Sequence, residues 1–148
     1  MVNGSAGSLV EDPDGPSNNG LASGAVRIPF VQQMEAVECG AACLTMLLRA
    51  FGHHAELSEL REACGVSRDG VSAKSLVRVA RSYGLTTRAR KREPAELAEL
   101  TGPAIIHWEM NHFVILERWS ASGARLLDPA VGPRVITPDD FDKSFTGI

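Results

Sequence analysis

The chain has 148 residues, 44% of them hydrophobic and 22% charged, which suits one soluble domain with a real core. A net charge of −3 and an aromatic content of 5% exclude a strongly basic nucleic-acid surface and a base-stacking platform. Three cysteines, Cys39, Cys43 and Cys64, make no disulfide framework, and neither a signal peptide nor an apolar run of membrane-spanning length is present.

Residues 1–26 read as a disordered arm. Their stretch Gly15-Pro16-Ser17-Asn18-Asn19-Gly20 is rich in turn formers and lacks apolar periodicity. Residues 27–148 read as one domain. A helix is predicted over 39–51, where Ala41, Ala42, Leu44, Met46, Leu47 and Leu48 favour it and Gly52 ends it. It is apolar nearly all round, so it belongs at the centre of the fold. Ser58 is expected to cap a short helix that reaches Cys64 and closes at Gly65. Ser72 caps a third helix over 73–83, whose Leu76, Val77, Val79, Ala80 and Tyr83 recur at helical spacing. Residues 85–90 read as a strand and 94–100 as a short helix opened by Pro94. Short β-type runs follow at 104–107, 112–117, 124–128 and 133–136, and Thr137 before Pro138 starts a last helix. Helices first and an antiparallel sheet after make an α+β order.

Cys39 opens the apolar helix. Unpaired N–H groups and the positive end of the dipole there favour a thiolate, the attacking species in nucleophilic catalysis. Gly40 would let a substrate backbone approach closely. A core cysteine at a helix start explains the local sequence equally well. Cys43, one turn on among Ala42, Leu44 and Leu47, reads as a small buried hydrophobe. Cys64, at a helix end, reads as structural.

A thiolate needs a base, and the base needs a group that orients it. His112 opens the run Phe113-Val114-Ile115-Leu116, and Asp128 closes the next strand before Pro129. If those strands are neighbours, the two side chains meet at one edge of the sheet. Each residue alone also fits polar packing or turn initiation. The order Cys, His, Asp, each at an element end, points to a nucleophilic triad. His107 is a rival base, and His107, Glu109 and His112 lack the spacing of a metal motif. Gln33 and Gln32 could each supply a side-chain N–H to an oxyanion, beside the backbone N–H of Cys39.

The run Gln33-Met34-Glu35-Ala36-Val37-Glu38-Cys39-Gly40-Ala41-Ala42-Cys43-Leu44 resembles the opening motif of the bacteriocin-processing, double-glycine leader peptidases. These usually form the N-terminal domain of peptidase-containing ABC transporters. Asn111-His112-Phe113-Val114-Ile115-Leu116 and Leu127-Asp128-Pro129-Ala130 resemble that family's histidine and aspartate motifs, and 69–85 its helix between them. The likeness covers residues 27–148. It implies a papain-like fold, with a helical half bearing the cysteine and an antiparallel sheet bearing His and Asp. It implies Cys39 as nucleophile, His112 as general base and acid, Asp128 as its orienter, and Gln33 rather than Gln32 as oxyanion donor.

The resemblance further implies a cysteine endopeptidase that cleaves leader peptides after Gly-Gly or Gly-Ala. The leader would dock as an amphipathic helix in an apolar groove, with candidate residues between Ser72 and Tyr83. Glu38 stands where the family usually has Asp, and the arm is longer than the family's usual start. The chain is expected to be a domain of a larger transporter at the cytoplasmic face of the inner membrane. Its partners there would be transmembrane and ATPase domains, with no nucleic acid and no membrane insertion by this segment. No cofactor is expected for the domain itself; ATP enters only if a nucleotide-binding domain follows. Two other readings share the triad: a catalytically idle docking module, which loss of the cysteine would mark, and an acyl or amide transferase.

Overall fold

The computed structural model describes residues 27–148, and the arm assigned to residues 1–26 lies outside them. A 3-10 turn, Ala36–Glu38, runs straight into α1, Cys39–Ala50. Every residue of α1 from Cys39 to Leu48 is buried, because other elements pack around it on all sides. The helix stops at Phe51. Gly52 takes a φ of 88°, and the N–H groups of Gly52 and His53 reach the carbonyls of Arg49 and Leu48.

Two further helices follow, α2 at Leu57–Ala63 and α3 at Ala73–Ser82. Ser72 caps α3 as expected, its Oγ accepting from the Ser75 N–H at 3.1 Å. Ser58 does not cap α2. The helix begins two residues earlier, at Leu57 with Glu56 at the cap position, and the Glu56 carboxylate is taken by Arg49 at 3.1 Å. Leu60 is the residue that anchors α2 in the core.

The second half opens with a 3-10 turn at Pro94–Glu99 and continues through β1, Ala104–Trp108; β2, His112–Ser120; β3, Gly123–Asp128; and β4, Gly132–Ile136. All neighbours are antiparallel, in the order β1-β2-β3-β4. Thr137 caps α4, Pro138–Ser144, by accepting from the Asp140 N–H at 3.2 Å. The strand expected at 85–90 does not join the sheet. Leu85 and Thr87 are buried while Thr86 and Arg88 are exposed, so the burial alternates as in a strand. Only a single bridge position, Thr86, results, and the Thr87 carbonyl is bonded by the Arg81 guanidinium at 2.9 Å.

Period-two patterning divides the core across the sheet. Ile105, Phe113, Ile115 and Leu127 pack with the helices, while Ile106, Trp108, Val114, Leu116 and Leu126 pack with Leu97 and Phe141. Beyond α4 the chain returns along β1. Trp108 bridges Phe145, the Thr146 N–H donates to the His107 carbonyl at 3.2 Å, and the His107 N–H donates to the Ile148 carbonyl at 2.9 Å. The outer flank of β1 is thereby covered, and Ile148 reaches the cleft described next.

Candidate active site

Cys39, 5% exposed, stands in the wall of a cleft of about 460 Å³ that Val37, Val71, Met110, Phe113 and Ile148 also line. The sheet register brings up the other two residues. Ile115 faces Leu127, so Val114 falls beside Asp128, and His112 stands two residues earlier at the start of β2, within reach of that strand end. His112 Nε2 and Asp128 Oδ1 are 2.8 Å apart. The ring therefore has Nδ1 left to face Cys39, whose proximity helps to raise the His112 pKa. The edge anticipated from the sequence is the strand-end edge of the two inner strands, not an outer strand.

Electrostatics favour a charged imidazole beside an ionised Asp128. Burial disfavours the His112 imidazolium, but hydrogen bonds and charge from Asp128 and Cys39 outweigh it and push its pKa up to about 9. Burial likewise works against the Asp128 carboxylate. The His112 hydrogen bond, the Ala130 N–H at 2.9 Å, the His112 charge and Arg134 at 3.2 Å together hold its pKa below the usual carboxylate value.

Glu38 has a role that sequence reasoning did not give it. It is 2% exposed, and one carboxylate oxygen accepts from the Met34 and Glu35 N–H groups at 2.7 and 3.0 Å. The other oxygen meets Arg61 of α2 at 2.6 Å, and Arg61 also reaches Glu35 at 3.2 Å. The carboxylate next to the cysteine thus ties the Gln33–Glu35 segment to α2. Glu35 and Glu38 stand three apart and form a capping box, a spacing that was readable in the sequence. Arg61 was not readable, because it lies 23 residues away from Glu38.

Gly40 serves packing rather than substrate approach. It is buried, and a Cβ built there would run into Val71 Cγ1 and come within 3.2 Å of Phe113. The Gln33 amide donates to the Glu35 carbonyl at 3.1 Å, and its Oε1 is buried without a partner. Gln32 turns the other way, donating to the Ala130 carbonyl at 2.8 Å. His107 lines the cleft with its Nδ1 3.0 Å from Thr146 Oγ1 and its ring edge-on to Phe113. Burial, joined by the His112 charge, lowers its pKa.

The Cys43 thiol is fully buried and donates to the Phe113 carbonyl at 3.4 Å. Burial raises its pKa well above the thiol range, helped by the charges of Cys39 and Asp128. Burial also raises Cys64, to about 11. Among the described residues, no group of three or more His, Cys, Asp or Glu side chains is placed to hold a metal. No helix among them is long and apolar enough to cross a membrane.

Known proteins match this sequence and fold. Residues 27–148 match the Peptidase C39 family. The colicin V secretion/processing ATP-binding protein CvaB of Escherichia coli is 37% identical over 122 residues, 82% of this chain and 18% of that protein. The transport/processing ATP-binding protein ComA of Streptococcus pneumoniae is 28% identical over 124 residues, 78% of this chain and 17% of its own length. The chain thus spans under a fifth of these curated relatives. Among solved structures, a double glycine motif protease from an AMS/PCAT transporter, in complex with the leader peptide, superposes with a TM-score of 0.79 at 39% identity, covering 94% of each chain. The peptidase domain of Streptococcus ComA shares the fold, with a TM-score of 0.75 at 23% identity over 82% of this chain and 94% of its own. The family match spans the whole described region and the protease fold covers nearly all of it, so the chain belongs to the Peptidase C39 family of cysteine peptidases.

Proposed function

We propose that this domain cuts precursor peptides after a Gly-Gly or Gly-Ala pair, with Cys39 as nucleophile, His112 as acid and base, and Asp128 as the residue that orients His112. The observation that carries this is the line from the Cys39 thiol through the imidazole to Asp128, held at 2.8 Å at its far end and opening on the cleft at the other. The thiolate attacks the scissile carbonyl carbon. As the C–S bond forms, the carbonyl oxygen takes up negative charge. His112 passes its proton to the departing amine as the C–N bond breaks, leaving a thioester. Neutral His112 then takes a proton from water, the water attacks the thioester, and the free acid leaves.

Gln33 is the proposed oxyanion donor, with the Cys39 backbone N–H beside it. Its amide carries two N–H groups, so the bond to the Glu35 carbonyl leaves one to give. Val37 and Val71 in the cleft wall favour a pair of small residues, since a branched side chain would meet them. The leader helix is placed along α3. A groove of about 690 Å³ is lined by Lys74, Val77, Arg78 and Arg81, which makes it more cationic than the apolar groove expected between Ser72 and Tyr83.

The two relatives quoted are named as secretion or transport and processing proteins that bind ATP. That supports a place for this domain beside transmembrane and ATPase domains at the cytoplasmic membrane face, with any ATP held by the ATPase domain.

Mass spectrometry of the domain incubated with a Gly-Gly leader precursor tests the reading. Cleavage after the pair is expected, abolished in Cys39→Ala and near normal in Cys43→Ala. The reverse pattern would overturn the choice of nucleophile. Binding without cleavage would favour an idle docking module, and amine incorporation without cleavage a transferase.

A further inference from the structure

The turn between β1 and β2 is strained at consecutive positions. Glu109 and Met110 have φ of 50° and 69°, the left-handed region that a tight hairpin turn demands and that Asn and Gly occupy most easily. Neither residue present suits it. Both ends of the turn are nevertheless pinned. Trp108 is 1% exposed, the Glu109 N–H donates to the Ser144 carbonyl at 2.7 Å, and His112 is held by Asp128. The strain is therefore fixed in place, and it delivers a methionine side chain that is 78% exposed yet lines the same cleft as Cys39.

An asparagine or glycine would make this turn at lower cost, so the turn does not explain the methionine. Nor does core packing, because the side chain is exposed. Its cleft neighbours Val37, Val71, Phe113 and Ile148 are apolar, and a flexible, polarisable thioether adapts to apolar groups of varied shape. Local strain kept beside a reactive thiol commonly reflects a demand of function. We propose that Met110 is a substrate-recognition residue, which the strained turn holds over the cleft to pack against an apolar side chain of the bound peptide near the scissile bond. The occupant follows from continuity with Cys39, and this rests on the reading that the cleft receives a peptide.

Binding to the cleavage-blocked Cys39→Ala domain tests the contact without relying on turnover. The probe is a fluorescent peptide comprising a leader and its Gly-Gly pair, read by anisotropy. Adding Met110→Asn keeps a residue suited to the turn and removes the apolar tip. The expected result is a Kd weakened about tenfold, the scale of one lost apolar contact, with a thermal midpoint equal to or above that of the parent. Met110→Leu should bind within about threefold of the parent, because it restores apolar volume. In a panel with each apolar peptide residue replaced by Ala in turn, one position should weaken binding to the parent and have no further effect on Met110→Asn.

Equal Kd values for the parent and Met110→Asn would overturn the proposal. So would a panel with the same losses in both proteins, or a peptide that binds neither. If the active domain fails to cut a peptide that is bound in a Met110-dependent way, the peptidase reading falls and the contact at the rim stands.

Discussion

The helical half and the sheet half hold their proposed catalytic residues by different means. Cys39 is fixed by the backbone: it opens α1, and Glu38 beside it gathers two N–H groups and one arginine. His112 and Asp128 come from two strands, and their positions depend on register and on a chain of side-chain contacts that ends at Arg134. Each half holds a buried carboxylate, 2% exposed for Glu38 and 3% for Asp128, and each carboxylate meets a partly exposed arginine. The difference is that Asp128 feeds charge into the proposed Cys39–His112 pair, whereas Glu38 holds backbone and Arg61 in place. Substitutions at the two carboxylates should therefore fail in different ways.

The largest effect is expected at Asp128. Asp128→Asn keeps the shape and removes the charge, so kcat/KM should fall on the order of 10³-fold, as when a triad imidazole loses its orienting anion. The pH profile gives the sharper reading. His112 is raised to about 9, so the imidazolium persists to alkaline pH and the alkaline limb should lie near that value. In Asp128→Asn that limb should move to lower pH. Stability follows the same sign. A histidine raised above its unfolded value of about 6.5 stabilises the fold fully below that pH, and the contribution is lost as pH rises through about 9. Denaturant melts at pH 6 and pH 10 should show that loss in the parent and a smaller one in Asp128→Asn. An unmoved alkaline limb would remove Asp128 from the reacting pair.

The same contrast explains what the sequence disclosed. Cys39 opens an apolar helix, which is visible without tertiary knowledge, whereas local chemistry left Gln33 and Gln32 equal and gave Glu38 no role. His112 and Asp128 were legible as strand ends, because short apolar runs bounded by turn residues marked the strands near them. What escaped was whatever depends on a distant partner. Arg61 meets Glu38 from another helix, and the 85–90 segment has the alternation of a strand without a ladder to join. Ser58 has the chemistry of a cap, but packing of Leu60 and the Arg49–Glu56 pair start α2 one residue before it. Gly40 was legible as necessary but not for the right reason, since the Val71 and Phe113 side chains that exclude a Cβ arrive from other elements. Arg134 was within reach: Asp128 pairs with Gly132 across the β3–β4 hairpin, and residue 134 lies one same-face step further.

Glu38 is expected to show an intermediate effect of a different kind. Glu38→Ala frees the Met34 and Glu35 N–H groups and leaves Arg61 without its buried partner, at a cost of about 3 kcal/mol in stability. Its kcat should fall about tenfold as the Gln33 segment loosens, while the alkaline limb stays with the parent's, because no charge has left the reacting pair. Glu38→Asp keeps a carboxylate and should recover most of both losses. Urea melts combined with a pH–rate profile separate the cases. A shifted alkaline limb in Glu38→Ala would break the distinction between setting geometry and supplying charge.

Arg134 should give the smallest change, and its direction discriminates further. It is 3.2 Å from Asp128 Oδ2, with 37% of its side chain exposed, so solvent screens much of the interaction. Arg134→Gln should cost about threefold in kcat/KM, the scale of a partly exposed ion pair. The acid side of the profile should respond more than the alkaline side. Arg134 helps to hold the Asp128 carboxyl low, so without it Asp128 protonates at higher pH, and its stabilising contribution is lost sooner as pH falls. The alkaline limb should hold or move slightly upward, because a cation near the imidazolium has gone. Asp128→Asn and Arg134→Gln then displace opposite limbs, although both act on the same carboxylate. That opposition is what a charge relay of Arg134, Asp128 and His112 predicts and what simple loosening of the β3–β4 hairpin would not produce.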